Sequence, residues 1–490
     1  MSKGVQTPFS LWDWLGREVR DFRASIRDLP VMEKVGPERI RDRLRSRFRF
    51  RSAMDAETVT REVSEMIRQW NVHVTHPRYF GLFNPSVHEI AVAADALAAL
   101  YNPQLAVWSH APAAAEIERH TLDHLKRAAG LDPETMAHFT SGGCEANLSA
   151  VLAALAWRFP ETGETGLMGL SETPTIYVSS ETHHSMVKIA RMSGLGTRAL
   201  RQVGLDGDLR LDPADLERRI VADAEAGFRP LMVVGTAGTT AAGLVDPLDH
   251  LADVAERHGL WFHVDGAWGA SALLSPRLRD ELRGVERADS LTWDAHKWLS
   301  VPMGAGMFFC RRPDAVRRAF AVTATYMPAK TRGDLDDAYT VSAQWSRRVI
   351  GLKVFMTLAS TGLDGLAQLI EGQADMGECL RQKLQDAGWT VVHPTALPVI
   401  CFTHPDIEAG RFRTSEVLKK IYRRARVWIS DVILDAGEAD IPADGSVRRV
   451  TGKSRRALRA CITSFQTDAQ DLDVLIDELE TVRRELVDGN

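Results

Sequence analysis

Trp261-Phe-His-Val-Asp-Gly-Ala-Trp268 is an apolar and aromatic run that ends in a carboxylate followed by small residues. That is the profile of a buried strand that stops at a functional edge. Ahead of it lie a second apolar run, Leu231–Gly235, and a helical pattern over Pro247–His258. Strand, helix, strand is the repeating unit of an α/β domain with a mostly parallel sheet. Working outward, Thr175–Ser179 and Gly306–Cys310 read as further strands, and Cys144–Arg158 as a further helix. In such sheets ligands sit beyond the carboxyl ends of the strands. A buried carboxylate there is costly unless a cation faces it. Asp265 is therefore a candidate partner for a protonated ring nitrogen, although a strand-end Asp also serves to cap a following helix.

The flanks have a different texture. Leu15, Val19, Phe22, Ile26 and Leu29 recur at helical spacing and Pro30 closes that run; a second helical stretch surrounds Ala56–Trp70. Two or three such helices cannot bury their apolar faces alone, so they are expected to pack on the remainder of the chain or on a second subunit. Beyond the α/β region, Val349–Leu369 and Gly372–Gln385 read as helical. Strands are expected near Trp389–Val392, Leu397–Phe402, Val427–Ile429 and Leu458–Thr463, then a last helix over Asp468–Val487. The predicted organisation is an N-terminal helical segment (1–85), a large α/β domain (86–372) and a small C-terminal α+β domain (373–490).

Composition excludes several classes. At 490 residues the chain is about three times the roughly 150-residue size of one domain. Its 45% apolar and 26% charged residues are ordinary for a folded globular protein. A net charge of −5 gives no general footprint for nucleic acid or an anionic membrane. Five scattered cysteines with no CxxC pair read as reduced thiols, with no disulfide framework and no metal site. No stretch approaches the ~18 apolar residues of a spanning helix. The first thirty residues lack the apolar run of a secretory signal, and acids interrupt their arginines, so a cytoplasmic location is expected.

Chemistry concentrates in five places. Ser290-Leu-Thr-Trp-Asp-Ala-His-Lys-Trp298 sets Lys297 among Trp293, Ala295, Trp298 and Leu299. A lysine desolvated in this way is a nucleophile toward carbonyl carbon. Taken alone, the same pattern also describes a snorkelling surface lysine. Asp265 ends the strand quoted above. Thr140-Ser-Gly-Gly-Cys-Glu-Ala-Asn147 opens a helix with a glycine pair, a ready cradle for phosphate. Thr236-Ala-Gly-Thr-Thr240 brings hydroxyls to one strand end, and Ser180-Glu-Thr-His-His-Ser185 brings imidazoles to another. A nucleophilic lysine, a carboxylate for a ring nitrogen, a phosphate cradle and a flat ring for stacking are the parts that hold pyridoxal 5'-phosphate.

The motif Ser290–Lys297 together with His263-Val-Asp-Gly-Ala-Trp268 resembles the pyridoxal-phosphate-dependent amino-acid decarboxylases of group II. That family includes aromatic-L-amino-acid, glutamate, cysteine-sulfinate and diaminobutyrate decarboxylases, and the resemblance runs from about Phe9 to the C-terminus. It implies an aspartate-aminotransferase-like α/β fold (fold type I) and a homodimer with sites at the subunit interface. It also implies decarboxylation of an L-amino acid to an amine and carbon dioxide. By this resemblance Lys297 carries the cofactor, Asp265 pairs with its ring nitrogen and His184, next to His183, stacks on its ring. Gly143, Cys144, Asp294 and His296 fall where the family contacts phosphate, and Thr240 falls beside the cofactor. Two departures stand out. Asp294 occupies a position where several relatives carry Asn, so it is expected to meet phosphate only through water or to face elsewhere. Cys144 replaces a small or hydroxyl residue.

Relatives protonate the carbanion with a tyrosine on a mobile loop, which points to the segment Tyr326–Ala343, with Tyr339 as the candidate and Tyr326 in reserve. Phe80, Leu82, Phe83 and Trp108 match the family's substrate-entry walls, and Arg459 matches an arginine near the substrate α-carboxylate. An aromatic or apolar substrate is favoured over an acidic one, because glutamate-type relatives carry Gln where Leu82 stands. The alternatives on the same scaffold are an aldehyde synthase or oxidative deaminase, and a carbon–carbon lyase. A non-catalytic derivative is disfavoured by the intact Lys297 and Asp265.

Overall fold

The computed structural model describes residues 9–322, 336–434, 438–440, 448–451 and 454–489. Its larger sheet has seven strands: β1 (Met136–Thr140), β2 (Thr173–Ser179), β3 (Leu200–Val203), β4 (Phe228–Thr236), β5 (Trp261–Asp265), β6 (Ser290–Asp294) and β7 (Gly306–Cys310). Their order is β1-β7-β6-β5-β4-β2-β3. Neighbours from β3 through β6 pair in parallel, and β7 runs antiparallel to both β6 and β1. The mostly parallel α/β sheet inferred from the sequence is therefore present.

Apolar side chains leave both faces of this sheet, as parallel strands covered on two sides require. Val233, Phe262, Val264, Leu291 and Trp293 enter the core on one face. Met232, Val234, Ile176, Val178 and Phe308 enter the core on the other. Three strands escape simple hydropathy. β1 carries His138, β3 is short and only partly buried, and β6 alternates Leu291 and Trp293 with Ser290, Thr292 and Asp294. The alternation is what matters for the site. Because side chains switch faces at every residue, His263 and Asp265 of β5 share a face with Ser290, Thr292 and Asp294 of β6. Strand register sets His263 beside Ser290 and Asp265 beside Thr292.

The N-terminal segment forms α1 (Leu11–Ser25), α2 (Pro37–Arg47) and α3 (Ala56–Trp70), followed by α4 (Glu89–Tyr101) and α5 (Pro112–Ala128). Ser10 and Asp55 cap α1 and α3 through their side-chain oxygens. Helix α6 (Gly143–Arg158) lies over the polar face of β5 and β6. Its alanine-rich buried side lets it approach the strands closely. The long helix Leu352–Asp386 is interrupted at Gly362, whose φ of +73° suits glycine and strains any other residue.

The second sheet is antiparallel. It is built from β8 (Thr390–Val391), β9 (Val399–Thr403), β10 (Ser430–Leu434) and, beyond the separate pair β11 (Glu438–Asp440) and β12 (Arg448–Thr451), β13 (Arg455–Cys461). The expected strand at Val427–Ile429 is displaced. That stretch makes only a bridge from Trp428 to Tyr79, and the strand begins at Ser430. The last helix spans Ala469–Val487, with Asp468 as its cap.

Candidate active site

Three strand ends and one helix start converge. Thr236 closes β4, Asp265 closes β5, Asp294 closes β6, and Gly143 opens α6. The turn after β6 carries His296 and Lys297. Together they line a cavity of about 310 Å³, with Cys144, Asn147, His183, Thr240, Ala267, Trp268 and Met303 among the other walls.

Lys297 Nζ lies 3.0 Å from Asp294 Oδ2, and its side chain is 24% exposed toward the cavity. His296 accepts a hydrogen bond from the Ala305 N–H at Nδ1, 3.2 Å. A neutral ring therefore carries its proton on Nε2, which is 3.7 Å from Asp294 Oδ2. Burial keeps this imidazole below the usual histidine range, against the opposing pull of Asp294. Asp294 Oδ1 is buried with no hydrogen-bond partner, and so is Thr236 Oγ1.

Asp265 is held from two sides. Ala267 N–H donates to Oδ1 at 3.1 Å and Asn147 Nδ2 donates to Oδ2 at 2.8 Å. Asn147 itself was not singled out by the sequence; a polar residue one turn into an apolar helix was the available signal.

The first N–H groups of α6 have no acceptor within the helix. A Cβ at Gly143 would come 2.9 Å from Asp294 Oδ2 and 3.2 Å from Ala267 Cβ, so this opening exists only because the residue is glycine. Glu145 braces the turn from behind. Its carboxylate accepts from Ser141 N and Oγ at 2.8 and 2.6 Å, and from Gln344 Nε2 at 2.8 Å.

Several expectations need correction. The cavity takes His183, not His184. His184 directly precedes the helix Ser185–Met192, and the turn sends its neighbour to the cavity. His183 sits at the open mouth, where loss of hydration pushes its imidazole below the usual range; Lys297 reinforces this and Asp265 opposes it.

Phe80 is fully buried in the core of the small sheet, joined to Trp428 O through its N–H. Leu82 is 49% exposed and not in the wall. Trp108 is turned away, its Nε1 donating to Glu116 Oε1 at 3.0 Å. Phe83 stacks on Trp268, with centroids 4.6 Å apart, and so supports the wall from behind.

Arg459 is 1% exposed and does not line the cavity. Nε donates to Ala241 O at 3.0 Å and Nη1 to Gly81 O at 2.5 Å, while Nη2 has no partner. Tyr339 lies on a turn whose N–H donates to Ala106 O, and its ring packs on Trp345 at 4.9 Å. It too is outside this cavity, and Tyr326 lies outside the described residues.

Comparison with known proteins bears on this arrangement. The family model described as "Pyridoxal-dependent decarboxylase conserved domain" matches residues 38–404. The chain belongs to the pyridoxal-dependent decarboxylase family. Among curated relatives, tyrosine decarboxylase of Oryza sativa subsp. japonica is 32% identical over 78% of this chain and 74% of its own length. Acidic amino acid decarboxylase GADL1 of Mus musculus is 28% identical over 93% of this chain and 82% of its own length. The crystal structure of mouse CSAD superposes with a TM-score of 0.83 at 25% identity, covering 96% of this chain and 99% of that one. As a decarboxylase of this family, the protein is a carboxy-lyase acting on an amino acid, with pyridoxal 5'-phosphate as its cofactor. Residues at the cavity fit that group. An amine, a carboxylate fed by two N–H donors, an open helix start and an orphaned threonine hydroxyl all face one space. No helix among the described residues is long and apolar enough to cross a membrane.

Proposed function

We propose that this decarboxylase acts on an aromatic or otherwise apolar L-amino acid, releasing the corresponding amine and carbon dioxide. The supporting observation is the charge of the cavity wall. Among the described lining residues there is no arginine, and the single lysine is already 3.0 Å from Asp294. An acidic side chain entering there would lose its hydration without gaining a free cation, whereas Trp268 and Met303 offer apolar surface.

Lys297 is assigned the covalent hold on the cofactor, and Asp265 the ring nitrogen. The start of α6 at Gly143 and Cys144, with His296 and Thr240, is assigned the phosphate. Pyridoxal phosphate, when bound, supplies an electron sink for the pair left at Cα as carbon dioxide departs. Asp294 receives the Lys297 ammonium once that amine is released. His183 covers the open side and is the proton-bearing group of this chain's own cavity mouth. A homodimer is part of this reading, supported by the exposed apolar stripes of α1 and α3.

The test is direct. Holoenzyme is incubated with pooled amino acids and the amine identified by mass, with peroxide and ammonia measured alongside. An aromatic amine without peroxide is expected. An amine from an acidic amino acid overturns the substrate reading, and peroxide matched to carbon dioxide overturns plain decarboxylation. Borohydride reduction should leave the cofactor on the peptide that contains Lys297; any other site overturns its assignment.

A further inference from the structure

Behind Asp265 lies a buried polar row that takes no direct part in the chemistry assigned above. Asn147 of α6 is 1% exposed and spends all its hydrogen-bonding capacity inside the protein. Nδ2 faces Asp265 Oδ2 at 2.8 Å and Ser185 Oγ at 3.3 Å, while Oδ1 faces Thr292 Oγ1 at 2.6 Å and His263 Nε2 at 3.1 Å. His263 Nδ1 faces Ser290 Oγ at 2.8 Å, and Trp261 Nε1 donates to that same oxygen at 2.8 Å.

The direction of every bond follows from its ends. A carboxylate only accepts, so the amide of Asn147 must turn its NH2 to Asp265 and its oxygen to His263 and Thr292. An amide oxygen only accepts, so His263 Nε2 must carry a proton. The ring is buried on all sides and burial pushes it down to about 4, so it is neutral near pH 7 and Nδ1 is an acceptor. Ser290 must then donate to Nδ1, which leaves its oxygen for the indole N–H, a group that only donates. From the indole to the amide, the relay protons point toward Asp265, and the second amide N–H goes to Ser185 Oγ.

We propose that Asn147 and His263 are positioning residues of the decarboxylase. The relay Trp261–Ser290–His263–Asn147 fixes the orientation of the Asn147 amide, and that amide keeps Asp265 turned as an acceptor toward the cofactor's ring nitrogen. The inference rests on the assignment of Asp265 above. Adjacent strands build it cheaply: residues His263 and Asp265 alternate onto the face that carries Ser290 and Thr292, and α6 closes over them. Packed on all sides, none of the members needs to reorganise when charge moves in the cavity.

The apoprotein, with histidine labelled with ¹⁵N, gives the first readout. At pH 7.5 His263 should show a protonated Nε2 and a bare Nδ1; the opposite tautomer overturns the relay. The second readout is the ring ¹⁵N shift of labelled pyridoxal phosphate in wild type, Asp265→Asn and Asn147→Leu, the last of which removes the amide donor. Both variants should move the signal toward an unprotonated pyridine, and Asn147→Leu should weaken cofactor binding 10- to 100-fold. A protonated ring in Asp265→Asn overturns the assignment of Asp265 itself. A shift in Asp265→Asn but none in Asn147→Leu overturns the relay alone. Should Asn147→Leu fail to fold, Thr292→Val decides. It removes one of two donors to the Asn147 oxygen and should weaken cofactor binding about threefold or more, with a moved ring signal; unchanged binding and signal overturn the proposal.

Discussion

Asp294 shares the cavity with the start of α6, and its surroundings explain how a carboxylate can sit there. Oδ2 pairs with Lys297 Nζ at 3.0 Å, while Oδ1 is buried toward Gly306 and Thr140. The charge is therefore offset on one side and walled off on the other. A cofactor phosphate held at the start of α6, as proposed above, would still feel it. Two like charges a few ångströms apart at an effective dielectric near 20 repel by about a few kcal/mol, before the lysine offsets them. Asp294→Asn should thus bind pyridoxal phosphate about three- to tenfold more tightly, read by fluorescence titration of the apoprotein. Its kcat should fall about tenfold, because the released Lys297 ammonium loses its counter-ion. Weaker binding would mean that Asp294 helps to hold the phosphate. At this scale the sequence is legible only in part. Asp265 declares itself by the apolar strand it ends, and Lys297 by the aromatic residues around it. The choice between His183 and His184 does not, since both precede the same helix and one turn of backbone decides which ring faces the cavity. Asn147 is hidden for a similar reason: its partners come from two strands over a hundred residues away in the chain.

Elements explain why the site is where it is. Helix α6 begins at the carboxyl edge of the sheet, and its first residue must be small. Adding one methyl at Gly143 places it 2.9 Å from Asp294 Oδ2. Gly143 is the first helical residue, where alanine's interior advantage does not apply, and the methyl must displace a buried oxygen, so Gly143→Ala should lower the melting temperature by only a few degrees. It should nevertheless weaken pyridoxal phosphate binding about tenfold, because the methyl occupies the cradle. Melting and titration on one sample check both halves, and loss of stability in step with affinity would refute the separation. The helix α6 and strands β2, β4, β5 and β7 were readable because their apolar patterns are long or unbroken. Strands β1, β3 and β6 were not: hydropathy fails where alternate residues serve a buried polar row, as Ser290, Thr292 and Asp294 do. Phe80 was misread for another reason. Phe80 is apolar because it fills the small sheet's core, and sequence pattern cannot tell a core aromatic from a wall aromatic.

Two properties belong to the whole molecule. The first is its response to acid. His76 is pushed down to about 3, and His138, His263 and His393 to about 4, in each case chiefly by burial. These rings are neutral in the fold but titrate near 6.5 when unfolded, so their contribution is complete above pH 6.5 and is lost as pH falls toward 4. Each gives a slope approaching 1.4 kcal/mol per pH unit. Asp246, raised by burial from 3.8 to about 6, works in the opposite sense and is favoured as pH falls through 6. Asp246 thus offsets about one of these four histidines. Urea midpoints should drop sharply from pH 7.5 to 5, and His138→Phe should flatten the drop, since both ring nitrogens of His138 are buried without partners. A midpoint unchanged over that range would contradict the burial. The second property is assembly. Helix α1 buries none of its residues and α3 buries only Glu62, yet Trp12 is 63% exposed and Val59, Val63 and Ile67 form an open stripe at four-residue spacing. Monomers seldom leave such stripes to water, and a twofold partner would cover the same patch on both subunits. A paired Val63→Asp and Ile67→Asp variant puts two like charges into that stripe without touching the cavity. Sedimentation should then move from twice the 54.3 kDa chain mass to once. The large sheet should keep its own melting transition, since its core lies elsewhere. A wild type that sediments as a fully active monomer would leave the stripes without a partner and remove the dimer from the proposed function.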